Sequence, residues 1–178
     1  MTDLVLVSRA ADFAARSHAG QRRKGAAKEP YVNHLAEVAE LLAVATDGSD
    51  AALVAAGWLH DTIEDCGTTR DELTDQFSAD VASLVAECTD DKTLAKAERK
   101  LLQIAHAPDL TGRARMIKIA DKISNLRSLI FSPPDDWERA RLIDYLDWSD
   151  KVVAGCRGVS PSLERIYDET ASSGRAVL

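Results

Sequence analysis

The adjacent pair His60-Asp61 joins an imidazole nitrogen to a carboxylate oxygen, a donor set that suits a divalent transition metal such as Mn, Fe, Co or Zn. A lone His-Asp pair means little, because a histidine can cap a helix end and an aspartate is usually solvated. Two further residues strengthen it: His34 stands on a preceding helical segment and Asp121 on a later one, each where a helix bundle could aim it inward. Two imidazoles and two carboxylates would hold a metal and leave positions open for water and a phosphate oxygen. The cysteines offer no rival site. Cys66, Cys88 and Cys156 are odd in number, far apart and free of any CxxC pair, which argues against a disulfide framework or thiolate zinc and fits a reducing cytoplasm.

A phosphate-bearing substrate needs positive charge, and the chain is short of it overall. Its formal net charge is −7 and its pI about 5.1, which speaks against broad electrostatic binding of nucleic acid. The local exception is Arg22-Arg23-Lys24 in the segment GQRRKGAAKEP, whose guanidinium and ammonium groups could neutralise a pyrophosphate. Loop charges taken alone are usually just solvated.

These groups must be positioned by helices. The chain has 178 residues, which suits one domain, and the reading is a single unit over residues 1–178. With 46% hydrophobic but only 5% aromatic residues, the core must be built from Ala, Leu, Val and Ile, a mixture that favours closely packed helices. The fold class predicted is therefore all-α, a compact multi-helix bundle around a central metal site. Helical spacing predicts a first helix over residues 2–18 and a loop over 20–30. A helix capped by Asn33 then carries His34, and a buried helix capped by Asp50 runs through His60. Shorter patterns follow at 69–77, 79–88 and 92–106. From Arg113 to Ile130, Met116, Ile119, Ala120, Ile123, Leu126 and Ile130 make one apolar stripe with Asp121 and Asn125 on its border. Pro133-Pro134 predicts the start of a helix reaching about Gly155, and residues 160–173 a last one. No basic leader precedes an apolar run at the N-terminus, and no apolar stretch approaches the roughly 20 residues of a membrane span.

Four runs, QRRKGAAKEPYVNH (21–34), WLHDTIEDC (58–66), TDDKTLAKAERK (89–100) and KIADKISNLR (118–127), follow the order of a known family. The chain resembles the HD-domain hydrolases, in particular the RelA/SpoT-type domain in its stand-alone form, the small alarmone hydrolases that include metazoan SpoT homologues. The matching core covers about residues 18–155, with the last helix beyond it. The resemblance implies a Mn²⁺-dependent (p)ppGpp 3′-pyrophosphohydrolase of the stringent response, with metal ligation by His34, His60, Asp61 and Asp121. It implies catalytic support from Glu64 and Asp65, which on a helix lie four residues beyond His60 and Asp61 and could face an activated water. It also implies nucleotide contacts by Arg23, Lys24, Lys96, Asn125, Arg141 and Tyr145. Tyr31 and Trp58 are expected to pack around the ligands. Cys66 stands where Thr is common and Leu35 where Pro is common, and neither change removes a ligand. The partner expected is a small guanosine nucleotide, with no nucleic acid and no membrane, in the cytoplasm. Hydrolysis of another nucleotide such as NADPH, or alarmone sensing without cleavage, would use the same residues, and the sequence leaves the oligomeric state open.

Overall fold

The computed structural model describes residues 1–178, and all its regular elements are helical. At the centre lies α3 (Ala51–Leu59), where Leu53, Val54, Ala55, Ala56, Gly57 and Leu59 are buried. Its start is fixed as expected, because the Asp50 carboxylate accepts from the Leu53 N–H at 3.0 Å. Small side chains let its neighbours close in: α1 (Asp3–Ser17), α2 (Val32–Ala45) and α6 (Ala79–Cys88) all pack on it. The short α4 (Thr62–Cys66) follows directly, and α5 (Arg70–Gln76) rests on α6. Next come α7 (Lys96–His106), α8 (Gly112–Phe131), α9 (Arg139–Cys156) and α10 (Pro161–Val177). α8 is the second axis of the bundle, packed by α2, α6, α9 and α10. No helix is long and apolar enough to cross a membrane.

Several helix boundaries differ from the sequence expectation, and at α7 and α9 a turn competes with the helix start. Asn33 lies inside α2 and caps nothing; Tyr31 occupies the cap position. α7 begins at Lys96, not near residue 92, because the Asp91 carboxylate takes the Thr93 N–H and hydroxyl at 2.9 and 2.7 Å. α9 begins at Arg139, not at the two prolines. Pro134 O accepts from the Trp137 N–H at 3.1 Å, so Pro133-Pro134 opens a turn. α10 runs past residue 173 to Val177. On α8 the single stripe is too narrow a description: Met116 and Ile130 are half-exposed, while Ile117, Lys122, Ser124 and Leu129 are buried. A helix packed on several sides loses its amphipathic signature.

The basic loop is stapled to the end of α8. Ala26 N–H donates to Pro133 O at 3.2 Å and Ala27 N–H to Ser132 Oγ at 2.8 Å, while Arg22 and Pro30 form an isolated antiparallel bridge. This close approach demands glycine at position 25, where a Cβ would lie 2.2 Å from Ser132 O. Gly25→Ala is expected to lower the unfolding free energy by about 1–3 kcal/mol, the usual cost of an overpacked contact. Urea denaturation checks this, and an unchanged midpoint would mean the loop is not held there.

Candidate metal centre

His60 closes α3, and its Nδ1 lies 2.8 Å from Gly57 O. A carbonyl can only accept, so Nδ1 carries the proton and Nε2 points inward as a lone pair. His34, in the first turn of α2, is fixed in the same way. Its Nδ1 donates to Ser124 Oγ at 2.9 Å, and that hydroxyl donates to Glu37 Oε2 at 2.5 Å, itself part of a carboxylate bound by Arg127 at 2.8 Å. Both buried imidazoles thus offer Nε2 to the same point.

Two carboxylates meet them there. Asp61 Oδ2 lies 3.6 Å from His34 Nε2 and 3.2 Å from His60 Nε2; Asp121 Oδ1 lies 3.4 and 3.9 Å from the same two atoms. His34, His60 and Asp121 present ligand atoms that all lie within 4.8 Å of one another. His60 Nε2 is buried with no hydrogen-bond partner. Lone pairs set against carboxylates repel unless a cation stands between them, and the N₂O₂ donor chemistry fits a divalent transition ion.

The same demand governs the titration of these groups. Burial works against a charged His60, yet the carboxylates of Asp61 and Asp121 outweigh it and push its pKa up to about 10. Asp61 is held well below the ordinary carboxylate range: burial opposes this, and His60 and His34 overcome it. Asp121 is likewise depressed, against burial, by the Lys122 ammonium and the imidazoles. Burial and the Asp61 charge keep the Tyr31 phenol protonated, and it donates to Asp61 Oδ2 at 2.7 Å. Tyr31, expected only to pack, therefore orients a carboxylate and is itself stacked on the buried His18, centroids 5.0 Å apart.

In front of this cluster opens a cleft of about 800 Å³. It brings together His60, Asp61, Glu64, Asp65, Asp121 and all six of the expected nucleotide contacts, Arg23, Lys24, Lys96, Asn125, Arg141 and Tyr145; His34 sits behind the wall. Asn125 donates to Asp121 Oδ1 at 2.6 Å and accepts from Arg23 Nη2 at 2.8 Å, which ties the loop cation to the cluster. Arg141 lies over the Trp137 ring at 4.2 Å, and Tyr145 stands between Trp137 and Trp148. Glu64 and Asp65 occupy α4, because the chain turns at His60-Asp61. Glu64 accepts from Arg99 Nη1 and the Asp90 N–H, both at 3.3 Å; burial, Asp90 and Asp61 push its carboxyl up. Asp65 pairs with Lys92. Sequence reasoning missed Lys92, Arg99, Lys100 and Lys122, which also line the cleft. Only Lys122 gave a local signal, a charge set among Ile119, Ala120 and Ile123.

The family model described as HD domain matches residues 10–144 of this chain. The chain belongs to the HD-domain family. Among curated relatives it is 45% identical over 167 residues to guanosine-3′,5′-bis(diphosphate) 3′-pyrophosphohydrolase MESH1 of Xenopus tropicalis, covering 94% of this chain and 93% of that protein. It is 46% identical over 155 residues to the Homo sapiens protein of the same name, covering 87% of each. A solved structure, described as a metazoan ortholog of SpoT that hydrolyzes ppGpp and plays a role in starvation responses, superposes with a TM-score of 0.91 at 39% identity over 97% of both chains. The all-helical HD-domain fold is thus common to this chain and that structure.

The raised pKa of His60 has a consequence for the metal-free HD-domain protein. A group whose folded pKa lies above its unfolded value stabilises fully below the latter and loses that contribution as pH rises through the former. The melting midpoint of metal-free protein is therefore expected to fall between pH about 6.5 and about 10 through this group. Saturating divalent metal, competing for the same lone pair, should flatten the decline, and His60→Gln should lack it. Parallel profiles for wild type and variant would contradict this account.

Proposed function

We propose that this HD-domain protein hydrolyses guanosine 3′,5′-bis(diphosphate), and the pentaphosphate form, at the 3′ position, releasing pyrophosphate and leaving GDP or GTP. The observation that supports this reading best is the match, over nearly the full length of both chains, to relatives named for that reaction. The cleft agrees with it chemically, since it sets a His/Asp cluster beside cations that have no carboxylate partner within ion-pair distance, among them Lys24, Lys96 and Arg141. The whole chain, residues 1–178, is read as one catalytic unit, because α10 packs along α8.

Mn²⁺ is the ion we assign, held by His34, His60, Asp61 and Asp121; when bound it would acidify water and draw charge from a phosphate oxygen. Glu64, its carboxyl pushed up by burial and by Asp90 and Asp61, takes the proton of the attacking water, and Asp65 orients that water. The water oxygen bonds to the phosphorus carried on O3′, the P–O3′ bond breaks, and O3′ leaves as the hydroxyl on receiving the proton that Glu64 took from the water. Arg23, Lys24, Lys96 and Arg141 offset phosphate charge, while Asn125 and the Tyr145 ring position the nucleotide. The substrate is a small intracellular nucleotide and the three cysteines are free thiols, so we place the protein in the cytoplasm.

Metal-stripped protein is expected to release pyrophosphate from ppGpp only after Mn²⁺ is added. The Glu64→Ala, Asp65→Ala double variant should lose roughly 10²–10⁴-fold in kcat, the usual weight of acid–base assistance. Release that ignores both the metal and the variant would sink the proposal, as would metal-loaded wild-type protein that releases none.

A further inference from the structure

The cleft wall holds one buried cation that the mechanism above leaves without a task. Lys122 is only 3% exposed, and an ammonium withdrawn from water persists where its charge is matched and its N–H groups are bonded. Here the matching comes from the site itself. Lys122 Nζ donates to Asp121 Oδ2 at 3.0 Å and to Gln103 Oε1 at 3.2 Å, and it stands 4.4 Å from the centroid of the Trp148 ring. Trp148 is fixed in turn, donating from Nε1 to Lys100 O at 3.0 Å.

The bonding continues beyond Gln103. Its Nε2 donates to Asp90 Oδ2, and the backbone N–H of Asp90 donates to Glu64 Oε2 at 3.3 Å. A polar chain thus runs from Asp121 on α8, through Gln103 on α7 and the connection before it, to Glu64 on α4. Lys122 is the link next to the metal cluster.

Asp121 is gripped asymmetrically at that end. Its Oδ1 faces both imidazoles and accepts from Asn125, whereas its Oδ2 is engaged by the ammonium. An oxygen already bonded to one cation is a poor donor to a second. We propose that Lys122 is a positioning residue with two effects: it withholds Asp121 Oδ2 so that this ligand engages the metal through Oδ1 alone, and through Gln103 and Asp90 it holds Glu64 in register with the metal. Withholding the second oxygen keeps a coordination position free for water or a phosphate oxygen. The inference rests on the reading that Asp121 is a ligand and Glu64 acts on water.

Two variants separate these effects. Lys122→Met keeps the stem and removes the ammonium; Gln103→Leu cuts the link to Asp90 and leaves the Lys122–Asp121 pair. Each protein is loaded with Co²⁺ as a spectroscopic probe, its visible absorption and Co²⁺ affinity are recorded, and turnover of ppGpp is then measured with Mn²⁺. Lys122→Met should bind Co²⁺ at least as tightly as wild type and absorb more weakly, because a second carboxylate oxygen raises the coordination number. Its kcat should fall roughly 10–100-fold, the usual weight of a residue that orients a metal ligand. Gln103→Leu should keep the wild-type spectrum and affinity and lose roughly tenfold in kcat, at the lower end of the same range. A wild-type spectrum in Lys122→Met overturns the first effect, and wild-type kcat in Gln103→Leu overturns the second. Far-UV circular dichroism checks the fold; if Lys122→Met is unfolded, Gln103→Leu, altered at a half-exposed side chain, decides the second effect, and Lys122→Gln, which keeps a polar group but no charge beside Asp121, decides the first by the same Co²⁺ spectrum. Wild-type protein that takes up no Co²⁺ would sink the metal reading itself, which keeps the two failures apart.

Discussion

Two imidazole lone pairs and two carboxylates share one buried point, and the rest of the molecule is arranged around that conflict. Each histidine has its proton committed elsewhere, to Gly57 O for His60 and to Ser124 Oγ for His34, so neither neutral ring can relieve the repulsion by donating inward. Only a cation removes it, whether a proton in the metal-free protein or a divalent ion. The groups come from the end of α3 and the residue after it, the first turn of α2 and the middle of α8. α2 packs on both α3 and α8. A rigid bundle can hold donors at such distances where loops would let them drift apart.

The cleft divides the remaining charges by task. On one side Glu64 and Asp65 are steadied by Arg99 and Lys92, which offset part of the repulsion that Asp90 and Asp61 exert on Glu64. On the other, positive groups crowd together. Burial, then Lys24, Arg141 and Arg99, hold the Lys96 ammonium below its ordinary range, as expected where cations converge without counter-charge. Lys100 is depressed in the same way by burial and its cationic neighbours, and it lies 4.5 Å from the Trp148 ring centroid. A chain with a net charge of −7 thus keeps a local field that favours polyanions where they would meet the cluster.

Much of this was legible in the residues. The aromatic-poor, Ala- and Leu-rich composition led to an all-helical bundle, and the Asp50 cap and the buried α3 stood where spacing put them. The expected nucleotide contacts reach one cleft, although they lie on a loop and on α7, α8 and α9. The starts of α7 and α9 were less legible, because Asp91 and Pro134 close turns that compete with the helix. The burial of Lys122 was only hinted at by its place among Ile119, Ala120 and Ile123, and the packing of α8 against its neighbours decides it.

By itself the sequence determined the helical class, the types of donor available to a metal and the loop that brings positive charge, because composition, periodicity and residue chemistry are local properties. Tertiary structure alone decided which imidazole nitrogen faces inward, which oxygen of Asp121 faces the imidazoles, and that Arg99 and Asp90 hold Glu64. Those outcomes depend on contacts such as His34 with Ser124, Arg23 with Asn125 and Lys122 with Gln103. Each joins residues on separate elements, and only the packing of the bundle brings them within bonding distance.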